Sequence, residues 1–227
     1  MIKIVKIVSD GGIPSKNNPN YSESSFLIAN KKEYISGIKV DTYISKDKFL
    51  VLLNEQVMKD LGIDEDYIRN NTYKTIKNIH YGNKIKSNFI VDVNTLFSII
   101  TDGLIIINLC NKTLTQEEVD EINRVLLRNN SKNLLVSSSN ISILERLDYR
   151  LNKGKVITDM NDWKYSFEFF ITRKNYLDDK IINEELENNI MIFIDGVNRI
   201  NEIADLDDKL YVISPISNVI YKELNEI

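Results

Sequence analysis

The sequence predicts a single α/β domain: a mixed central sheet with an N-terminal antiparallel meander and parallel βαβ crossovers after it. Three observations carry this expectation. Leu104–Leu109 is a nearly unbroken apolar run, the pattern of a strand buried on both faces. Thr115-Gln116-Glu117-Glu118 has the spacing of a capping box, in which the threonine oxygen accepts from an early helix amide and the glutamate reaches back. Residues 134–139 read as the next strand. A strand, a helix and a strand in that order imply a right-handed parallel crossover.

The other elements follow along the chain. Residues 2–9 read as a β-branched strand, ended by the turn Asp10-Gly11-Gly12. Residues 24–29 and 33–40 read as strands two and three, which makes the opening an antiparallel meander. Residues 47–61 read as the first long helix, with Phe49, Leu52, Leu53, Val57 and Leu61 at helical spacing and Gly62 as its C-terminal cap. A short helix is expected at 64–71, a strand at 88–93 and a helical turn at 94–100. Val119, Ile122 and Leu126 form the inward stripe of the capped helix, and 141–151 reads as another helix. Strands are expected at 156–158, 167–172, 191–195 and 210–213, with a charged helix at 178–187. The expected division is a core domain at 1–151 and a C-terminal α/β extension at 152–227 packed on it.

Composition narrows the class. Of 227 residues, 43% are hydrophobic and 27% charged, the balance of a globular protein with its own core. The net charge of −4 counts against a large nucleic-acid footprint. A local basic face remains open through Lys3, Lys6, Lys16, Lys31, Lys32, Lys74, Lys77, Lys84 and Lys86. With Cys110 the one cysteine, the chain has neither an internal disulfide nor a thiolate metal cluster. No signal peptide is read at the start, and no stretch approaches the roughly 20 apolar residues that span a bilayer. The expected compartment is the cytoplasm, or a host's cytoplasm for a viral protein, with no membrane partner. Heavy Asn, Ile, Lys and Tyr usage suggests an AT-rich genome.

Neither Gly-rich phosphate cradle is present. His80 lies in a polar run and reads as a surface residue, and Cys110 as a small core residue. Carboxylates at strand ends remain, where oxygen ligands from separate strands can converge on a hard cation such as magnesium. The candidates are Asp10, Asp92 and Asp195, with Glu55 on the first long helix; Asp10 and Asp195 are the expected metal ligands.

The run Val5 to Gly12, then Asn18-Pro19-Asn20-Tyr21 and the stretch that follows, resembles the opening of the ribonuclease H family. That resemblance implies a ribonuclease H-like fold, Asp10 as the first carboxylate of a two-metal phosphodiester-cleaving site, and Mg2+ as cofactor. The family's helix acid falls near Leu50, where the chain is apolar, and its fourth-strand acid is replaced by Asn108 or Asn111. A looser likeness links 104–140 to ring-forming DNA-end-binding accessory proteins of CRISPR adaptation. The expected function is therefore a nucleic-acid-associated protein, either a metal-dependent nuclease or a catalytically degenerate relative. The alternative is a non-catalytic assembly or interaction module of viral, phage or mobile-element type, or a DNA-binding accessory protein. Its partners would be nucleic acid on the basic face, a second copy of the chain, or another protein.

Overall fold

The computed structural model describes residues 6–81, 88–129, 133–177, 179–199 and 210–225. Strand β1 (Lys6–Asp10) leads through helix α1 (Glu23–Asn30) to β2 (Ile35–Ile44), and the two strands pair in parallel. Strand β3 (Leu50–Leu52) folds back antiparallel on β2. Helices α2 (Glu55–Leu61), α3 (Glu65–Asn70) and α4 (Tyr73–Lys77) follow, then a small hairpin of β4 (His80–Tyr81) and β5 (Asn88–Phe89), and α5 (Val93–Ile99). The alternation then becomes regular: β6 (Leu104–Leu109), α6 (Gln116–Arg128), β7 (Leu134–Ser138), α7 (Ile141–Arg146), β8 (Asn152–Val156). A 3-10 turn at Met160–Lys164 precedes β9 (Phe169–Thr172), and another at Lys174–Tyr176 precedes α8 (Asp179–Glu187). Strands β10 (Met191–Ile194) and β11 (Tyr211–Ser214) and helix α9 (Ser217–Asn225) complete the described chain.

The strands lie in the order β1-β11-β10-β9-β8-β7-β6-β2, and β2 returns to β1. Every junction of that circuit is parallel. A sheet that closes on itself with eight parallel strands is a (β/α)8 barrel. The sheet runs without a break across position 151/152.

The closed barrel corrects the expected mixed open sheet and its antiparallel opening. Residues 24–29 are helix, not strand, because Ser22 caps α1 and exchanges hydrogen bonds with Ser25 in a capping box. That helix is the crossover that makes β1 and β2 parallel. Residues 47–61 split: Ser45 Oγ accepts from the Phe49 amide in a tight turn, β3 follows, and Asn54 caps a new helix. The strand–capped helix–strand prediction stands, with β6 and β7 paired in parallel and the Thr115–Glu118 capping box formed.

Alternation along the strands sorts side chains in and out of the ring. Val8, Ile106, Leu135, Phe169, Ile171, Phe193 and Ile213 form one buried cluster inside it. The helices cover the outside: Val119, Ile122 and Leu126 of α6 are fully buried, each contributing about 1.5–3 kcal/mol. Gly154 is small for a reason, since a Cβ there would lie 2.4 Å from the Phe169 ring that fills the barrel beside it.

Candidate functional site

Parallel strands in a closed ring all end at one mouth, where barrel enzymes carry their sites. Here the inward rows turn polar as they reach that mouth. Val8 is followed on the same face by Asp10, Gly37 by Lys39 and Asp41, Ile106 by Asn108, Leu135 by Ser137, and Phe193 by Asp195.

Lys39 stands at the centre. Its Nζ lies 3.0 Å from Asp41 Oδ1, 3.5 Å from Asp10 Oδ1 and 3.6 Å from Asp195 Oδ2, and its side chain is only 6% exposed. Burial by itself would lower the pKa of this amine; the three carboxylates outweigh it and hold the ammonium well above its ordinary value. Around this centre the carboxylates are fixed by neutral donors. Tyr21 Oη donates to Asp10 Oδ1 at 3.0 Å and accepts from the Asp41 amide at 3.1 Å. Asn108 Nδ2 donates to Asp41 Oδ1 at 2.7 Å, and Ser137 Oγ donates to Asn108 Oδ1. The Asp195 carboxylate accepts from the Gly196 amide at 2.8 Å. Tyr21 holds a left-handed backbone with φ 62°, unusual for a bulky residue. Gly11 makes room for it, since a Cβ there would come 2.3 Å from the Tyr21 ring.

Asp10 has a pKa raised to about 6. Burial is the largest cause; Lys39 pulls against it, Asp41 and Asp195 push it further up, and the Tyr21 hydroxyl lowers it. Cys110 sits close by, with its thiol pushed well up by burial and by Asp41, so it is not an activated nucleophile. A cavity of about 320 Å³ opens over the cluster, lined among others by Lys39, Asp41, Asn108, Thr158, Arg173 and Asp195. The exposed Arg173 makes no side-chain hydrogen bond or ion pair among the described residues, whereas the buried Lys155 is held by Asp162 at 3.0 Å.

Of the acids singled out in the sequence, the fold brings Asp10 and Asp195 together. Asp92 instead caps α5, accepting from the Thr95 amide and hydroxyl. Glu55 is exposed in the first turn of α2 and takes no part in the Lys39 ion pairs. His80 is exposed and lies against Phe89. Of the expected basic face, Lys3, Lys84 and Lys86 lie outside the described residues; Lys6 Nζ sits over the Tyr211 ring and Lys77 Nζ over that of Tyr73. Sequence reasoning missed Lys39, Asp41 and Arg173. The signal was the alternation in Gly37-Ile-Lys39-Val-Asp41, two charges on one face of a strand whose other face is apolar.

The barrel does not by itself exclude the expected magnesium; the donor set decides. Asp10 and Asp195 do converge, but the place an ion would take between them and Asp41 holds the Lys39 ammonium. Among the described residues no group of three or more His, Cys, Asp or Glu side chains is placed to hold a metal ion. As arranged, these residues do not fit a divalent cation. No helix of the described residues is long and apolar enough to cross a membrane.

No protein-family model matches the sequence, and no curated protein does. Solved structures do match. A phosphodiesterase from Oleispira antarctica, in complex with the product sn-glycerol-3-phosphate, superposes with a TM-score of 0.80 at 14% identity, over 97% of this chain and 96% of that one. The fold is that of the glycerophosphodiester phosphodiesterases. The enzyme of that name from Thermotoga maritima gives a TM-score of 0.77 at 17% identity, covering 96% and 98% of the two chains. One from Parabacteroides distasonis gives 0.79 at 14%, covering 100% and 99%. This likeness overturns the ribonuclease H-like expectation: Asp10-Gly11-Gly12 closes the first strand of a barrel, not of an open mixed sheet. The nuclease function attached to that fold falls with it, as does the nucleic-acid association, and the assembly-module alternative has no support in the likeness.

Proposed function

We propose that the mouth of this barrel binds a small phosphate ester of the glycerophosphodiester kind, with Arg173 gripping the phosphate. Arg173 is the observation that carries this reading. It lines the cavity with no acidic partner among the described residues, while Lys39 and Lys155 are both committed to carboxylates. A guanidinium presents a planar fork of donors that matches phosphate oxygens. Asp41, Asn108, Asp195 and Thr158 offer acceptors and donors for hydroxyls of the ester's alcohol part. The cavity has the size of a small-ligand pocket. The names of the structural neighbours supply the ligand class.

A second reading, hydrolysis of that ester, is favoured by Asp10. Its pKa of about 6 leaves it able to carry or release a proton near neutrality. A water oxygen would bond to phosphorus and lose its proton to Asp195. The ester P–O bond would break, and the leaving alkoxide would take a proton from the Lys39 ammonium, which lines the cavity and would be reprotonated by Asp10 3.5 Å behind it.

Calorimetric titration with sn-glycerol 3-phosphate and with a glycerophosphodiester, in chelator, tests the proposal. Wild type should bind, and Arg173→Ala should bind about tenfold or more weakly. No heat from either ester, or equal affinity in Arg173→Ala, would sink the reading. Release of free alcohol from the diester, lost in Asp10→Asn, would establish the hydrolytic version.

A further inference from the structure

Three carboxylates reach the barrel axis from three strands, Asp10 at the end of β1, Asp41 on β2 and Asp195 just past β10. Their oxygens surround one point at 3.0 to 3.6 Å, wider than the roughly 2.0–2.6 Å at which oxygen ligands hold a hard divalent cation. That point is filled by the chain itself. Lys39 starts two residues before Asp41 on the same face of β2, and its Nζ lies within 3.6 Å of all three acids. Each acid also accepts from a neutral donor, Asp10 from Tyr21, Asp41 from Asn108 and Asp195 from the Gly196 amide.

We infer that Lys39 is a built-in substitute for a divalent cation, and that its ammonium closes this barrel mouth to metal ions. An ammonium in this position differs from a metal in two ways. It donates hydrogen bonds and has no open coordination position, so it cannot polarise a ligand oxygen as a Lewis acid. It also carries one charge against three, so the cluster stays net negative whenever the acids are ionised. Taking the ammonium away would leave three carboxylates facing each other, an arrangement that a divalent ion would relieve. A divalent ion in that space would have to draw the three acids inward to ligate it.

The test uses metal alone, so it is separate from the phosphate-ester reading. Thermal melting of wild type, Lys39→Ala and Lys39→Gln is measured with and without Mg2+, Ca2+ or Mn2+, alongside calorimetric titration with Mn2+. Wild type should show no metal-dependent shift. Lys39→Ala should melt lower than wild type and recover by about 5 °C or more at about 10 mM metal. Lys39→Gln, one atom shorter but still filling most of the space and keeping a donor, covers the case in which the alanine variant does not fold; it should gain measurable Mn2+ affinity. Adding Asp195→Asn to either variant should abolish the gain. Two results would overturn the inference: Mn2+ binding by wild type that Asp41→Asn removes, or folded Lys39 variants with no more metal affinity than wild type.

Discussion

At the scale of single residues, Asp10 sets the pH behaviour. Its pKa in the folded protein is about 6, above the ordinary 3.8 of an aspartate in the unfolded chain. Between those values the folded state holds the proton more tightly than the unfolded state. The stability this contributes is present in full below about pH 4 and is lost as pH rises through 6. Urea denaturation at pH 4.5 and pH 7 should therefore show this loss in wild type and a flatter profile in Asp10→Asn. A profile unchanged by the substitution would remove Asp10 from the account. Half of this centre was legible in the sequence. Asp10 and Asp195 stand out because each is an acid at the end of an apolar run, next to glycine. Lys39 and Asp41 did not, because alternating charges in a strand ordinarily face water. Only once the strand is known to lie in a closed ring does its polar face become the interior.

At the scale of elements, local chemistry decides which segments are legible in the sequence. The Thr115 box and the stripe of Val119, Ile122 and Leu126 identify α6 because cap and periodicity agree. Thr115→Ala should cost about 1 kcal/mol of unfolding free energy in urea, through the unpaired Glu118 amide. Gly154→Val should cost more, about 1–3 kcal/mol, because its side chain must displace the Phe169 ring. A neutral effect there would mean that the barrel interior is looser than described. Local signal failed at α1, where Phe26-Leu27-Ile28-Ala29 looks like a strand and the cap is the less familiar Ser22-x-x-Ser25 pair. It failed again at 47–61, where helical spacing of apolar residues spans both β3 and α2, and only Asn54 marks the restart.

For the whole molecule, closure is the property no local pattern encodes. Each barrel strand drew a strand expectation at or near its place, yet nothing in the periodicity says that β1 pairs with β11 at the other end of the chain. That pairing, Lys6 to Tyr211 through Ser9 to Ser214, turns an open sheet into a ring. Because β1 is bonded on both sides, to β2 and to β11, neither end of the sheet can leave without opening the ring. We expect circular dichroism in the near and far ultraviolet to report one coincident transition in urea. Early, separate unfolding of 152–227 would contradict it. The same closure gathers the inward acids, Lys39 and Arg173 at one mouth. The most direct test of that mouth as a metal-free phosphate-ester site is a crystal soaked with sn-glycerol 3-phosphate and Mn2+, examined for anomalous scattering. The account predicts phosphate within hydrogen-bond distance of Arg173 and no manganese peak among Asp10, Asp41 and Asp195. A manganese peak there, with Lys39 swung aside and phosphate bound to the metal, would contradict it.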